Sequence, residues 1–386
     1  METDRIEALD VLRGVAILGT LGTNIWVFAD QRGAAGFLDL PTPDSVAGVT
    51  ELLLRFLSNG KFLALLSLMF GIGMELQYRS ARKRGARWPG WHLWRAALLF
   101  FEGVVHYTLI FEFDVLIYYA IVSALVAFVI GRSERVISIW LWFQGLVFVT
   151  VIGLLTLAQH YRHVPLTIDG NGPSTTSWPA AVADRIVMAG TYRAEAVLVI
   201  PLGMFLFLLG SRLMRRGVLA DSRQGQRLRN KLMQVGLGMG IPLNLITTFS
   251  GASWFFADRY VTAGFVSIGL LGLVTTLVHR LRGEPGPLRR GLISVGRVAL
   301  SSYILQNLIA GILCYEWGFG LSSTFVSARP WWVIVLYLGV SALIMALSKL
   351  WLKWFSRGPV ELLWQWAYLR PQRATVSRVE RDSNRY

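Results

Sequence analysis

The chain has 386 residues, 54% of them hydrophobic and only 16% charged, with a formal net charge of +15. A soluble domain carries roughly 25% charged residues, so this composition indicates a polytopic membrane protein and excludes an ordinary soluble core. The lone cysteine, Cys314, excludes an intrachain disulfide scaffold and a cysteine-based metal site, and it reads as a buried apolar filler.

A hydrocarbon core of about 30 Å takes about 20 apolar residues as helix. Lipid cannot hydrogen-bond a free backbone, so each span should be helical. In chain order such segments fall at 9–30, 54–78, 94–112, 114–131, 136–158, 196–214, 231–249, 260–281, 292–315 and 331–354. The expected fold is therefore an all-α membrane protein of about ten transmembrane helices. Residues 1–13 hold Glu2, Asp4, Glu7 and Asp10 against Arg5 and Arg13. They lack the positive n-region of a cleaved signal, so the first span is expected to be permanent.

Ionisable groups at membrane depth cost roughly 2.5–3.5 kcal/mol each on insertion scales, which makes them candidates for function. The first span holds Arg13, three residues after Asp10 on the same helical face, and Asn24 deeper in. Lys61 opens the apolar run of the second, where it could equally snorkel to the interface. The Gly pair in "FGIGME" reads as close helix packing. In "LLFFEGVVHYTLIF" Glu102 and His106 are four apart, a spacing at which the carboxylate orients the imidazole. A tight "FEFD" turn leads to Asp114, one turn before Tyr118, and the ninth span carries Arg297, Ser301, Gln306 and Asn307. The bland reading is that these residues glue helices together. The sharper reading is that they line one polar cavity. No Cys/His set has zinc spacing, and neither a G-x-x-x-x-G-K-[ST] loop nor a G-x-S-x-G elbow occurs, so no metal site is expected.

The basic residues cluster in 79–95, 132–135, 212–231, 280–290 and the tail after Lys353, and these alternate with poorly basic connections. That alternation predicts both termini in the cytoplasm. It absorbs most of the +15 charge into topology and contact with anionic membrane lipids, leaving no call for nucleic acid. The Gly/Pro/Ser/Thr-rich stretch 159–195 is expected as an extracytoplasmic loop. It divides an N-terminal five-helix bundle, 1–158, from a C-terminal one, 196–356, with 357–386 a basic cytoplasmic tail. "RGVAILGTLGTN" at 13–24 faintly echoes "GRVALSSYILQN" at 296–307, with an Arg about ten residues before an Asn in each. Gly-containing and aromatic-rich helix faces favour a homodimer.

The blocks "RIEALDVLRGVAILGTLGTNI", "KFLALLSLMFGIGMELQ", "FFEGVVHYTLIFEFDVLIYYAI", "GRVALSSYILQNLI" and "RGPVELLWQW" together resemble the YeiB family of bacterial inner-membrane proteins, whose second half is a domain of unknown function. The resemblance implies a polytopic helical fold in the bacterial inner membrane. The opening block is also similar to the start of transmembrane acyltransferases such as heparan-alpha-glucosaminide N-acetyltransferase. There an Arg on the first helix is followed about ten residues later by His or Asn, a spacing that Arg13 and Asn24 keep. That likeness implies acyl transfer from a cytoplasmic CoA donor to an acceptor across the membrane, using a histidine. The chain departs from it in having Asn24 where some members have His, and no histidine from 25 to 91.

Two functions follow. The first is a transporter of a small or amphipathic molecule, with Asp10, Arg13, Asn24, Lys61, Asp114, Arg297, Gln306 and Asn307 around a substrate or proton cavity. The second is an acyltransferase using acyl-CoA, with His106 as base, Glu102 as its partner, and Arg13 with the basic loops on the CoA phosphates. The missing nucleotide and histidine motifs tilt the sequence toward transport.

Overall fold

The computed structural model describes residues 6–162, 172–281 and 283–370. Residues 371–386 of the expected basic tail lie outside them, as do 163–171 of the long loop. Among the described residues the chain is helical with no strand. The main helices are α1 Glu7–Phe28, α2 Val46–Ser58, α3 Lys61–Lys83, α4 Trp91–Leu109, α5 Leu116–Val129, α6 Glu134–Arg162 and α7 Trp178–Val187. The second half adds α8 Ala196–Arg215, α9 Arg223–Met233, α10 Gly240–Phe249, α11 Ala263–Arg280, α12 Pro287–Arg297, α13 Ala299–Cys314, α14 Trp331–Trp351 and α15 at 359–370.

Among the described residues seven segments are long and apolar enough to cross a membrane: α1, α2–α3, α6, α8, α9–α10, α11 with the π turn before it, and α14. The chain is thus a multi-pass, all-α membrane protein. Three of the ten expected spans depart from that length and composition. The third, α4, carries Arg95, Glu102 and two histidines and falls short in apolarity. The fourth, α5, has only 14 residues, fewer than the roughly 20 that a full crossing takes. The ninth is broken into α12 and α13, bent by 99° at Val298. Counted as one span, that pair brings the total to eight.

The break has a local cause. Val298 leaves the helical region (φ −120°, ψ 42°), which strands the first N–H groups of α13. Glu361 of α15 accepts them: Oε1 takes Leu300 N–H at 2.9 Å and Ser301 N–H at 3.3 Å, while Oε2 takes the Ser301 hydroxyl. A carboxylate at a helix N-terminus also meets the positive end of the helix dipole.

Packing does not follow chain order. α3 lies along α8, and α1 crosses α12, so the closest contacts join early helices to late ones. Both crossings use glycine for close approach: a Cβ at Gly71 would stand 2.1 Å from the Phe207 carbonyl oxygen, and one at Gly296 would stand 1.8 Å from that of Asp10. Cys314 is fully buried in the shared core.

Candidate functional site

The polar residues of the spans do not share one hollow. They flank and separate two. The first cavity, about 530 Å³, opens on the face that carries the basic loops. Arg13 of α1, Arg95 of α4, Arg297 of α12 and Arg357 before α15 all border it, together with Glu361, Trp364 and Tyr368 of α15. Arg13 is 3.8 Å from Asp10, and Arg95 stacks 5.2 Å from the Tyr368 ring centre. The second cavity, about 460 Å³, lies toward the poorly basic face and is bordered by Asn24, Phe113, Val151, Glu195 and Arg259, among others.

A hydrogen-bonded row runs from Asn24, which borders the second cavity, to His106, which lies against Tyr303 of the first. Asp114 Oδ1 is 3.0 Å from His106 Nδ1, and Asn307 Nδ2 is 3.2 Å from His106 Nε2. Asn307 Oδ1 accepts from Asn24 Nδ2 at 3.1 Å. With an amide N–H donating to Nε2, the imidazole carries its own hydrogen on Nδ1 and gives it to Asp114. His106, Asp114 and Asn307 are buried, while Asn24 is half-buried where it borders the second cavity. On the other side the imidazole leans against Tyr303, 5.0 Å between ring centres, and Tyr303 borders the first cavity. Beside this row Gln306 Nε2 donates to Thr20 at 3.3 Å, while its Oε1 is buried with no hydrogen-bond partner.

Sequence order obscures why Asp114 can reach His106. α4 ends at Leu109, and the "FEFD" turn folds the chain back so that Asp114 also caps α5, accepting from Ile117 N–H at 3.1 Å. The outer segment fastens that turn. Arg193 donates to the backbone carbonyls of Glu112 and of Asp114, the latter at 3.0 Å, and sits over the rings of Tyr107 and Tyr118. Arg185 of α7 pairs with buried Glu112 at 3.3 Å, and Trp178 donates to Leu109 O at 2.9 Å.

The expected partner of His106 is replaced. Glu102 turns away from the imidazole and accepts from Trp364 Nε1 at 2.7 Å, holding α15 against α4. Four-residue spacing allows a contact within a helix, but the indole offers Glu102 a donor and Asp114 offers His106 an acceptor. Lys61 stands apart from both large cavities. Its ammonium donates to Asn244 Oδ1 and the Phe56 carbonyl and lies 4.2 Å from the Phe56 ring centre.

Of the sequence candidates, Asp114, His106, Asn307 and Asn24 come together, with Gln306 alongside. Arg13 and Arg297 face the first cavity, and Lys61 and Glu102 serve elsewhere. The two halves of the sequence echo meet in pairs: both arginines border one cavity and both asparagines are bonded to each other. Sequence reasoning missed His92, a wall residue of the first cavity bonded to Gln77 at 3.2 Å and Ser123 at 3.0 Å. It also missed Arg95, Tyr303 and Glu361. The block "RGPVELLWQW" carried a signal, an acidic residue within an otherwise apolar and aromatic run.

Residues 213–370 match the family DUF418, described as a protein of unknown function. The whole chain is similar to YeiB of Escherichia coli (strain K12), with 27% identity covering 98% of this chain and all of that protein. It is similar to YxaH of Bacillus subtilis (strain 168), with 24% identity covering 95% of this chain and 94% of that one. A 39.9 kDa protein from the amylase 3′ region of Bacillus acidopullulyticus aligns at 25% identity over 94% of this chain and 93% of its own length. All three bear the description uncharacterized. No solved structure matches. The resemblance to the YeiB family therefore holds along nearly the whole chain.

Proposed function

We propose that the protein is a transmembrane acyltransferase of a bacterial inner membrane, with its basic face and both termini in the cytoplasm. One arrangement supports this reading: the buried Asp114–His106 pair lies behind Tyr303 of an arginine-bordered cavity and is joined through Asn307 to Asn24, which borders a second cavity on the opposite face. The positive-inside rule puts the first cavity within reach of cytoplasmic acyl-CoA. Arg13, Arg95, Arg297 and Arg357 are the groups that would hold its phosphates through charge-assisted hydrogen bonds. The thioester would then extend past Tyr303 toward His106.

Asp114 fixes the imidazole tautomer and keeps the lone pair at Nε2, as a general base requires. An acceptor hydroxyl or amine arriving from the second cavity would displace the Asn307 amide as donor to Nε2. His106 takes the acceptor's proton, the acceptor oxygen or nitrogen bonds to the acyl carbon, and the carbon–sulfur bond breaks. The departing thiolate takes the proton from Nε2, so His106 is regenerated. Proton transfer of this kind is worth roughly 10²–10⁴ in rate.

Purified protein in nanodiscs tests this reading with acetyl-CoA. Expected are a rise in melting temperature, smaller in Arg13→Ala, and release of free CoA thiol, lost in His106→Gln. Glutamine is chosen because alanine would strand the buried Asp114 carboxylate.

Proton-coupled transport is the second reading, and one feature favours it: the two cavities stand on opposite faces and are linked by a buried polar row. It takes precedence if acetyl-CoA leaves the melting temperature unmoved while vesicles show pH-gradient-driven uptake that His106→Gln abolishes.

A further inference from the structure

The second cavity, about 460 Å³, is of a size that takes a small molecule, within the usual range of roughly 300–1,000 Å³. Its polar groups gather at two points. Asn24 marks the inner end, bonded to the His106 row, while Glu195 and Arg259 mark the outer end, 4.0 Å apart. Between them the wall is hydrocarbon, including Phe113, Val151 and Leu155.

Val151 and Leu155 belong to α6, a helix at the edge of the bundle whose apolar residues are mostly uncovered. Its other face carries Leu154 and Leu157, 62% and 53% exposed, as a lipid-facing surface requires. One helix thickness therefore separates the cavity from the bilayer. Val197, at the start of α8, borders the cavity and is itself 62% exposed.

We infer that this cavity is filled sideways from the membrane, and that its ligand is an amphipathic lipid: a hydrocarbon chain along α6 and a headgroup bearing a hydroxyl or amine near Asn24. Its identity as the acyl acceptor rests on the acyl-transfer reading; its binding does not. A free sugar would exchange its water hydrogen bonds for a largely hydrocarbon wall. A chain already in the bilayer exchanges one apolar surrounding for another, so nothing is lost on entry, and the headgroup supplies the selectivity.

Tritiated dodecyl β-glucoside is the probe and glucose the comparison, with protein in nanodiscs and empty nanodiscs as the blank. Expected is saturable binding of the alkyl glucoside and none of glucose. Leu155→Trp fills the cavity and should weaken binding at least tenfold. Leu154→Trp, on the lipid face one residue away, should leave it unchanged, and Val151→Phe is a milder filling variant where Leu155→Trp lowers folding yield. With labelled acetyl-CoA the wild type should acetylate the alkyl glucoside and not glucose. Absence of saturable binding, or equal loss in Leu154→Trp and Leu155→Trp, overturns the lipid site. Equal acetylation of glucose overturns the acceptor class while acyl transfer stands. Binding that Leu155→Trp abolishes, with no acetyl transfer to anything, leaves the lipid site standing and overturns acyl transfer instead.

Discussion

Two of the polar clusters buried among the helices differ in what surrounds them. In one, Asp258 Oδ1 accepts from Asn244 at 2.7 Å, Thr247 at 2.9 Å and Thr248 at 2.7 Å, while Oδ2 accepts from Asn59 at 3.1 Å. Lys61 completes it from the start of α3, and the crevice that touches Asp258 is about 20 Å³, room for little more than a single water. The other cluster, Asp114–His106–Asn307–Asn24, is a row that borders the second cavity at Asn24 and lies behind Tyr303 of the first. Both bury ionisable groups in a bundle, and both tie distant helices together. Only the second is linked to both large cavities, through Asn24 and Tyr303. Burial of charge thus marks structural glue as readily as chemistry, and the adjoining space separates the two.

Substitutions should break the comparison cleanly. The largest effect is expected for His106→Gln, which should lower His106-dependent release of CoA thiol by about 10³-fold. Its melting temperature should stay within a few degrees of wild type, read by the same thermal scan. Asp258→Ala should do the opposite. Four donors lose their acceptor, so stability should fall by about 3 kcal/mol, while turnover per folded molecule stays within about twofold. If Asp258→Ala removes turnover from fully folded protein, the division between the clusters is wrong. Arg13→Ala should weaken acetyl-CoA binding about tenfold, the loss of roughly one charge-assisted hydrogen bond, measured by titration with His106→Gln as background. The smallest effect belongs to Glu102→Gln. An amide oxygen can still accept from Trp364, so stability should change by less than about 1 kcal/mol and turnover should not change. A turnover loss matching His106→Gln would restore Glu102 as the partner of the imidazole.

The sequence showed the membrane class, the helical content and most of the spans, because apolar runs of about 20 residues in a chain this poor in charge need a bilayer to cover them. It showed His106, Asp114, Asn307 and Asn24 as costly residues for the same reason. It could not pair them. Helical periodicity offered His106 the in-helix Glu102, whereas the fold-back after Leu109 brings it Asp114, a contact that no spacing within α4 encodes. The broken ninth span was equally hidden. No proline marks the break at Val298, and the residue that caps α13, Glu361, lies about sixty positions away and meets it only in the folded chain. Arg95 and His92 read as the end of a basic loop, yet α4 starts at Trp91 and carries both to the edge of the first cavity. Where a contact is set by tertiary approach, local pattern has nothing to register.

Transfer measured by side would test the row directly. Proteoliposomes with uniformly oriented protein would receive labelled acetyl-CoA only on the basic face, and the organic extract would be counted. Label should enter the extract with wild-type protein, fall about 10³-fold with His106→Gln, and be absent when acetyl-CoA is supplied only on the opposite face. Equal labelling from either face, or labelling that survives His106→Gln, would contradict a His106-centred row linking donor and acceptor cavities.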